Sequence, residues 1–384
     1  MSAQSEPLEL VRRLIAFDTT SRGSNLALID FAQGLLEEAG ARCRRTFDES
    51  AGKANLFATL GPDEPGGYVL SGHTDVVPVD GQDWSSDPFK PEVRGDKLYG
   101  RGACDMKGFV GVALAMLPEI AAAKLTRPIH FALSYDEEVG CNGVRGLLAD
   151  LAANNIRPAL AIVGEPTLMK VVGAHKAGAV LHTHCHGREG HSSAPEKGAN
   201  AVMMAGEFMR ILETVWGELR ADRDPMFDPP HSTVQANMIE GGSAPNILAR
   251  DAFVTWEYRA LPDRDPNLIL ARVRELAERE ILPKYRRRAS EARLETVVHA
   301  SYPGLVMDEN SPAVRAALEL TGANHAEAVA YGTEAGHFQR AGIPAVICGP
   351  GSIEQAHKAD EFVALSELKA CEAFLTKVIA KAAA

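Results

Sequence analysis

The chain is short of aromatic residues, short of positive charge and without paired cysteines. Aromatics make up 6% of its 384 residues and tryptophan occurs three times, so the core has to be built mainly from aliphatic side chains. Forty lysines and arginines stand against 51 aspartates and glutamates, a formal net charge of −11. That balance argues against nucleic acid or an anionic membrane surface as the main partner. The six cysteines (Cys43, Cys104, Cys141, Cys185, Cys348, Cys371) form no C-x-x-C pair, which fits free thiols in a reducing compartment better than a disulfide framework. No run approaches the ~18 consecutive apolar residues of a membrane-spanning helix. The opening "MSAQSEPLELVRRLIAF" is charged and amphipathic, without the apolar centre of a signal peptide. A cytoplasmic globular protein is expected, with length enough for two domains.

What is present is an alternation of strand and helix. "NLFATLG" and "GYVLSGHTD" read as buried strands, "MKGFVGVALAMLPEIAAA" as a helix, "RPIHFALSY" as a strand, "VRGLLADLAA" as a helix and "PALAIVGEP" as a strand. This order predicts a layered α/β domain with a mostly parallel sheet. Near Ala177 the texture changes: strand "AVLHTHCHG", helix "ANAVMMAGEFMRILETVWGEL", strands "STVQANMIEGG" and "AFVTWEYRAL", helix "PNLILARVRELAEREIL", strand "RLETVVHAS". That β-α-β-β-α-β order is the ferredoxin-like pattern. The α/β texture then resumes with "PAVICGPG" and the helix "ALSELKACEAFLTKVIAKA". The expectation is one α/β domain (residues 1–176 and 301–384) interrupted by a smaller α+β insert (residues 177–300).

Five segments far apart in sequence place metal-capable side chains at strand ends or in glycine-rich loops. They are His73 and Asp75 in "GHTD", Asp105 in "GRGACD", Glu137 and Glu138 in "DEE", Glu165 in "GEP" and His357 in "AHKADE". In α/β sheets, functional residues gather beyond the carboxyl ends of the strands. Two imidazoles and several carboxylates suit divalent ions of the zinc or cobalt kind on nitrogen and oxygen ligands. Two such ions would also neutralise the crowded acids.

Taken together, "GHTDVVP", "GRGACDMKG", "DEEVG", "GEPT", "GHSS" and "AHKADE" resemble the dinuclear-zinc M20 peptidase and deacylase family over nearly the whole chain. That family contains acetylornithine deacetylases, succinyl-diaminopimelate desuccinylases, glutamate carboxypeptidases and aminoacylases. "DWSSDPF", "KLYGRGACDMKGF", "EEVGCNGVRGL" and "YGTEAGHFQ" look most similar to its acetylornithine-deacetylase branch. The resemblance implies a zinc-exopeptidase-like catalytic domain with an inserted lid and dimerisation domain, two zinc or cobalt ions, and a homodimer acting on a small N-acyl amino acid. Asp105 would bridge the ions, His73 and Glu165 would complete one, and Glu138 and His357 the other. Glu137 would be the general base for a water held between the ions, and Asp75 would orient His73. His191 would reach a partner's site as an oxyanion donor. Asn246, Arg259 and Thr333 fall at substrate-binding positions, and Glu334 is a candidate for attracting the δ-ammonium of an ornithine side chain.

Rival readings are weaker. "GRGACD" contains G-x-G but lacks the third glycine of a dinucleotide-binding turn. His182, His184 and His186 alternate on one strand face and could hold a metal, though an exposed or interface face is the preferred reading. Asp136 reads as a polar strand-end residue without a role of its own. His175 and Lys176, near the domain junction, fit either a substrate contact or a hinge.

Overall fold

The structure, a computed structural model, describes residues 6–384. The first five residues of the charged opening segment lie outside the described residues; the rest of it forms the helix Pro7–Ile15, which buries Leu10, Val11, Leu14 and Ile15. The chain divides into two compact units. One comprises the chain up to Ala174 together with Leu305–Ala328 and Thr333–Ala384; the other comprises His175–Gly304 and Val329–Gly332.

The first unit is built on an eight-stranded sheet in the order Arg42–Phe47, Ala54–Leu60, Ile129–Ser134, Tyr68–His73, Leu160–Val163, Ala345–Ile347, Val172–His175, Glu327–Val329. Ile129–Ser134, Tyr68–His73 and Leu160–Val163 are buried along their whole length, the mark of strands covered on both faces. The sheet is less parallel than its sequence suggests. Tyr68–His73 pairs in parallel with both Ile129–Ser134 and Leu160–Val163, and Ala345–Ile347 in parallel with Leu160–Val163. The flanks are antiparallel; at the first edge, Arg42–Phe47 and Ala54–Leu60 are joined by a short turn, whereas a parallel pair needs a long crossover.

The expected helix over "MKGFVGVALAMLPEIAAA" breaks into Lys107–Ala115 and Leu117–Ala122. Pro118 has no N–H to offer the carbonyl four residues back, so the first helix stops there. Its buried Phe109 packs so close to Gly164 that a Cβ there would lie 2.0 Å from the ring. Glycine at 164 therefore lets the strand end carrying Glu165 approach this helix.

The second unit has a four-stranded antiparallel sheet. Its strands, in chain order Ala177–His186, Thr233–Gly241, Asp251–Ala260 and Arg293–Tyr302, lie fourth-first-third-second across the sheet. That arrangement is ferredoxin-like. Helix Ala201–Leu219 starts at Asn200, whose side chain accepts from the N–H groups of Val202 and Met203. Leu181, Cys185, Val254 and Trp256 point into the core, while Phe253 and Val297 are exposed on the opposite face. The helix expected over "PNLILARVRELAEREIL" is present but widens into a π turn at Ala277–Ile281 before Leu282–Arg286. Pro283 again removes a helical donor at that point. No described helix is long and apolar enough to cross a membrane.

Candidate metal centre

Three parallel strands deliver the site. His73 is the last residue of its strand; Glu137 and Glu138 follow the end of Ile129–Ser134; Glu165 follows Leu160–Val163. Because these strands are neighbours running in one direction, their carboxyl ends open at the same edge. Asp105 comes from the loop ahead of Lys107–Ala115, and His357 from the loop ahead of strand Phe362–Ala364.

Asp105 turns one oxygen to each histidine: Oδ1 lies 3.0 Å from His73 Nε2 and Oδ2 lies 3.4 Å from His357 Nε2. Glu165 Oε1 is 3.8 Å from His73 Nε2, and Glu138 Oε2 is 3.0 Å from His357 Nε2. Donor atoms of His73, Asp105 and Glu138, and of His73, Glu137 and Glu165, each fall within 4.8 Å of one another. The Sγ of Cys104 is turned aside to the Ser352 carbonyl at 3.2 Å, which leaves a donor set of nitrogen and oxygen alone. Imidazole plus carboxylate fits a divalent ion of the zinc or cobalt kind.

The electrostatics make the same point. Burial, with the charges of Glu138, Glu334 and Asp105, holds the Glu137 carboxyl well above the usual range. Burial and Asp105 do the same to Glu165, and they push Glu138 up to about 7. Burial opposes a charged His73 ring, but Asp105, Asp75 and Glu165 outweigh it and raise its pKa. His357 is raised to about 10 by its hydrogen bonds to Asp105 and Glu138. Protons are thus retained where cations would compensate the same negative charge.

Asp75 ties the centre together in a way its sequence position does not disclose. It meets His73 Nδ1 with its main-chain oxygen at 2.9 Å, while its carboxylate stands 3.6 Å away. That carboxylate accepts from Ser21 Oγ at 2.6 Å and from the N–H groups of Glu137 and Glu138 at 3.1 and 3.3 Å. One residue therefore fixes both the imidazole and the loop of the paired glutamates. Asp136 is likewise engaged, in an ion pair with Lys53 at 2.5 Å.

Arg101 and Glu361, which the sequence does not single out, hold the loop of Asp105. Glu361 Oε1 accepts from the N–H groups of Cys104 and Asp105 at 2.8 and 3.1 Å, and its Oε2 accepts from Arg101 Nη1 at 2.7 Å. Both side chains are 1% exposed. Their only signal in the sequence is that each lies inside a segment already singled out, "GRGACD" and "AHKADE". In Glu361→Gln one amide group must face the donors of either Arg101 or the Asp105 loop. The expected result is metal binding weakened about 10- to 100-fold, read by competition with a chelator.

The remaining candidates lie in different surroundings. Thr333 is fully buried and its Oγ1 accepts from the Ala335 N–H at 3.0 Å, at the start of helix Ala335–Arg340. Glu334 is 1% exposed, its Oε1 has no hydrogen-bond partner among the described residues, and burial raises it to about 7. His191, Asn246 and Arg259 belong to the second unit. There, His191 pairs with Ile247 and the Ser192 N–H donates to the Asn246 carbonyl at 3.0 Å, so the first two are neighbours. His191 Nδ1 accepts from the Ser193 N–H at 3.1 Å, which assigns the ring proton to Nε2. Arg259 Nη2 donates to Glu257 at 3.0 Å and its Nη1 to the Tyr302 hydroxyl. Lys176 Nζ donates to the carbonyls of Pro229 and His231, both at 2.7 Å, and holds that loop.

Comparison with known proteins adds four findings. A family model described as "Peptidase family M20/M25/M40" matches residues 69–381. An acetylornithine deacetylase of Myxococcus xanthus is 37% identical over 373 residues, 96% of this chain and 95% of that protein. An acetylornithine deacetylase of Proteus mirabilis is 35% identical over 380 residues, 97% of this chain and 95% of that protein. Among solved structures, a tripeptidase from Staphylococcus aureus superposes with a TM-score of 0.75 at 22% identity, covering 99% of this chain and 98% of that one.

Proposed function

Because the chain belongs to peptidase family M20/M25/M40, we propose that it is a metal-dependent amidohydrolase converting N2-acetyl-L-ornithine to L-ornithine and acetate, a step of arginine biosynthesis in the cytoplasm. The chemistry rests on one observation: His73, Asp105, Glu138, Glu165 and His357 converge with Glu137 in a single cluster. The substrate rests on the near-full-length likeness to acetylornithine deacetylases.

We assign His73 and Glu165 to one divalent ion, Glu138 and His357 to a second, and Asp105 to both, with zinc or cobalt as the ions. Such ions, when bound, polarise an acyl carbonyl and lower the pKa of water to about 7. Glu137 takes the proton from the attacking water and returns it to the leaving amine; a carboxylate raised by burial is suited to both halves of that transfer. Asp75 keeps the His73 ring and the Glu137 amide in fixed relation. In the insert (residues 177–300), Arg259 receives the substrate carboxylate, for which its planar fork is suited, and Asn246 contributes a polar contact. His191 donates its Nε2 proton to the oxyanion across a homodimer. The buried Oε1 of Glu334, without a hydrogen-bond partner among the described residues, supports its assignment to the substrate ammonium, with Thr333 holding the adjoining helix start.

The test is to compare kcat/KM for N-acetyl-L-ornithine and N-succinyl-L,L-diaminopimelate on enzyme reconstituted with zinc or cobalt. Metal-dependent turnover preferring acetylornithine is expected. Preference for the succinyl substrate would keep the metal site and remove the substrate assignment.

A further inference from the structure

We propose that His184, His186 and Asp251 form a separate site for a divalent transition-metal ion on the exposed sheet face of the second unit. The two histidines are two residues apart on Ala177–His186, so their rings leave the sheet on the same side. Asp251 opens the adjacent strand directly opposite His186. His184 Nε2 and His186 Nδ1 each lie 2.8 Å from the same oxygen, Asp251 Oδ1. The three donor atoms lie within 4.8 Å of one another. The rings stand at 77° with centroids 5.6 Å apart, an approach from two directions that suits a tetrahedral ion.

The surroundings hold these donors in place. The His184 ring stacks on Phe253 with centroids 4.6 Å apart. Arg250 Nε occupies Asp251 Oδ2 at 2.9 Å, so only Oδ1 faces the imidazoles. Glu295 Oε2 lies 4.0 Å from His184 Nδ1, on the far side of the ring. That is beyond hydrogen-bond distance, though on the side of the ring where the outer carboxylate of a ligating histidine stands; Arg293 holds the other oxygen of Glu295 at 2.7 Å. Cys185 points into the core, so the donors are imidazole and carboxylate, which take zinc, cobalt, nickel or copper. The side chains of His184, His186 and Asp251 are 28, 20 and 30% exposed, open enough for an ion to enter and for water to complete its coordination. Bound there, the ion clasps two neighbouring strands and takes no part in hydrolysis.

The experiment is equilibrium dialysis of the metal-loaded enzyme against zinc, with bound zinc counted by mass spectrometry. The wild type is compared with the His184→Ala/His186→Ala double variant and with Asp251→Asn, which keeps the side-chain shape. One zinc ion per chain fewer in the double variant, and at least about tenfold weaker binding of that ion in D251N, are expected, with hydrolysis unchanged. Equal zinc content and affinity in all three proteins would overturn the site. Because D251N conserves volume on an exposed face, it decides the matter even if the double variant folds poorly.

Discussion

Glu137→Gln is expected to lower kcat by roughly a hundredfold to ten-thousandfold, the range a positioned general base contributes, while the protein keeps its fold and its metal. Glutamine preserves the volume and the Cys141 Sγ contact, 3.4 Å from Oε1, but accepts no proton. The N–H of residue 137 still reaches Asp75, because that bond is made by the backbone. Glu137 also lies close to His73 and Glu165, with all three donor atoms within 4.8 Å of one another. Proximity therefore does not separate base from ligand; metal content does. Glu138→Gln should lose metal together with activity. E137Q should lose activity alone, measured by single-turnover kinetics beside metal analysis. Wild-type turnover in E137Q would remove Glu137 as the base.

Stripping the metal is expected to make stability fall steeply with rising pH, and reloading it should abolish that fall. The sign follows from the direction of each shift. Glu138 is raised from 4.5 to about 7 by burial and Asp105. A carboxyl whose folded pKa exceeds its unfolded value contributes stability at low pH and loses it as pH rises through the window between them. For Glu138 alone that shift corresponds to roughly 3 kcal/mol. Glu137 and Glu165, also raised, act in the same sense. His357, raised from 6.5 to about 10 by Asp105 and Glu138, extends the loss to alkaline pH. Metal ions take over the role of the retained protons, and their ligands bind them best when deprotonated. Calorimetry of chelated and reloaded protein at about pH 5, 7 and 9 should show the Tm of the chelated form falling across the series. A Tm of the chelated form that does not fall with pH would mean that the acid cluster is neutralised by something other than ions or protons.

Much of this architecture was legible in short segments. "GHTD", "DEE" and "GEP" each end an apolar run, and parallel strands must bring such ends to one edge. The β-α-β-β-α-β order of the insert was legible because alternation and helical periodicity are local patterns. The antiparallel flanks were not legible: Arg42–Phe47 is a charged strand, "RCRRTF", with little apolar alternation. Nor were the breaks at Pro118 and Pro283, where apolar periodicity runs on past a residue that cannot donate.

By itself, the sequence determined which side chains are available for chemistry and which strand ends carry them, since both follow from residue type and local pattern. Tertiary structure alone decided how they are held. Glu361 lies 256 residues from the Asp105 amide it accepts from, and 260 from Arg101. Asp75 reaches the paired glutamates through backbone N–H groups that every residue but proline possesses. Contacts of that kind leave no pattern in the chain, because they depend on distances that exist only after the sheet has closed.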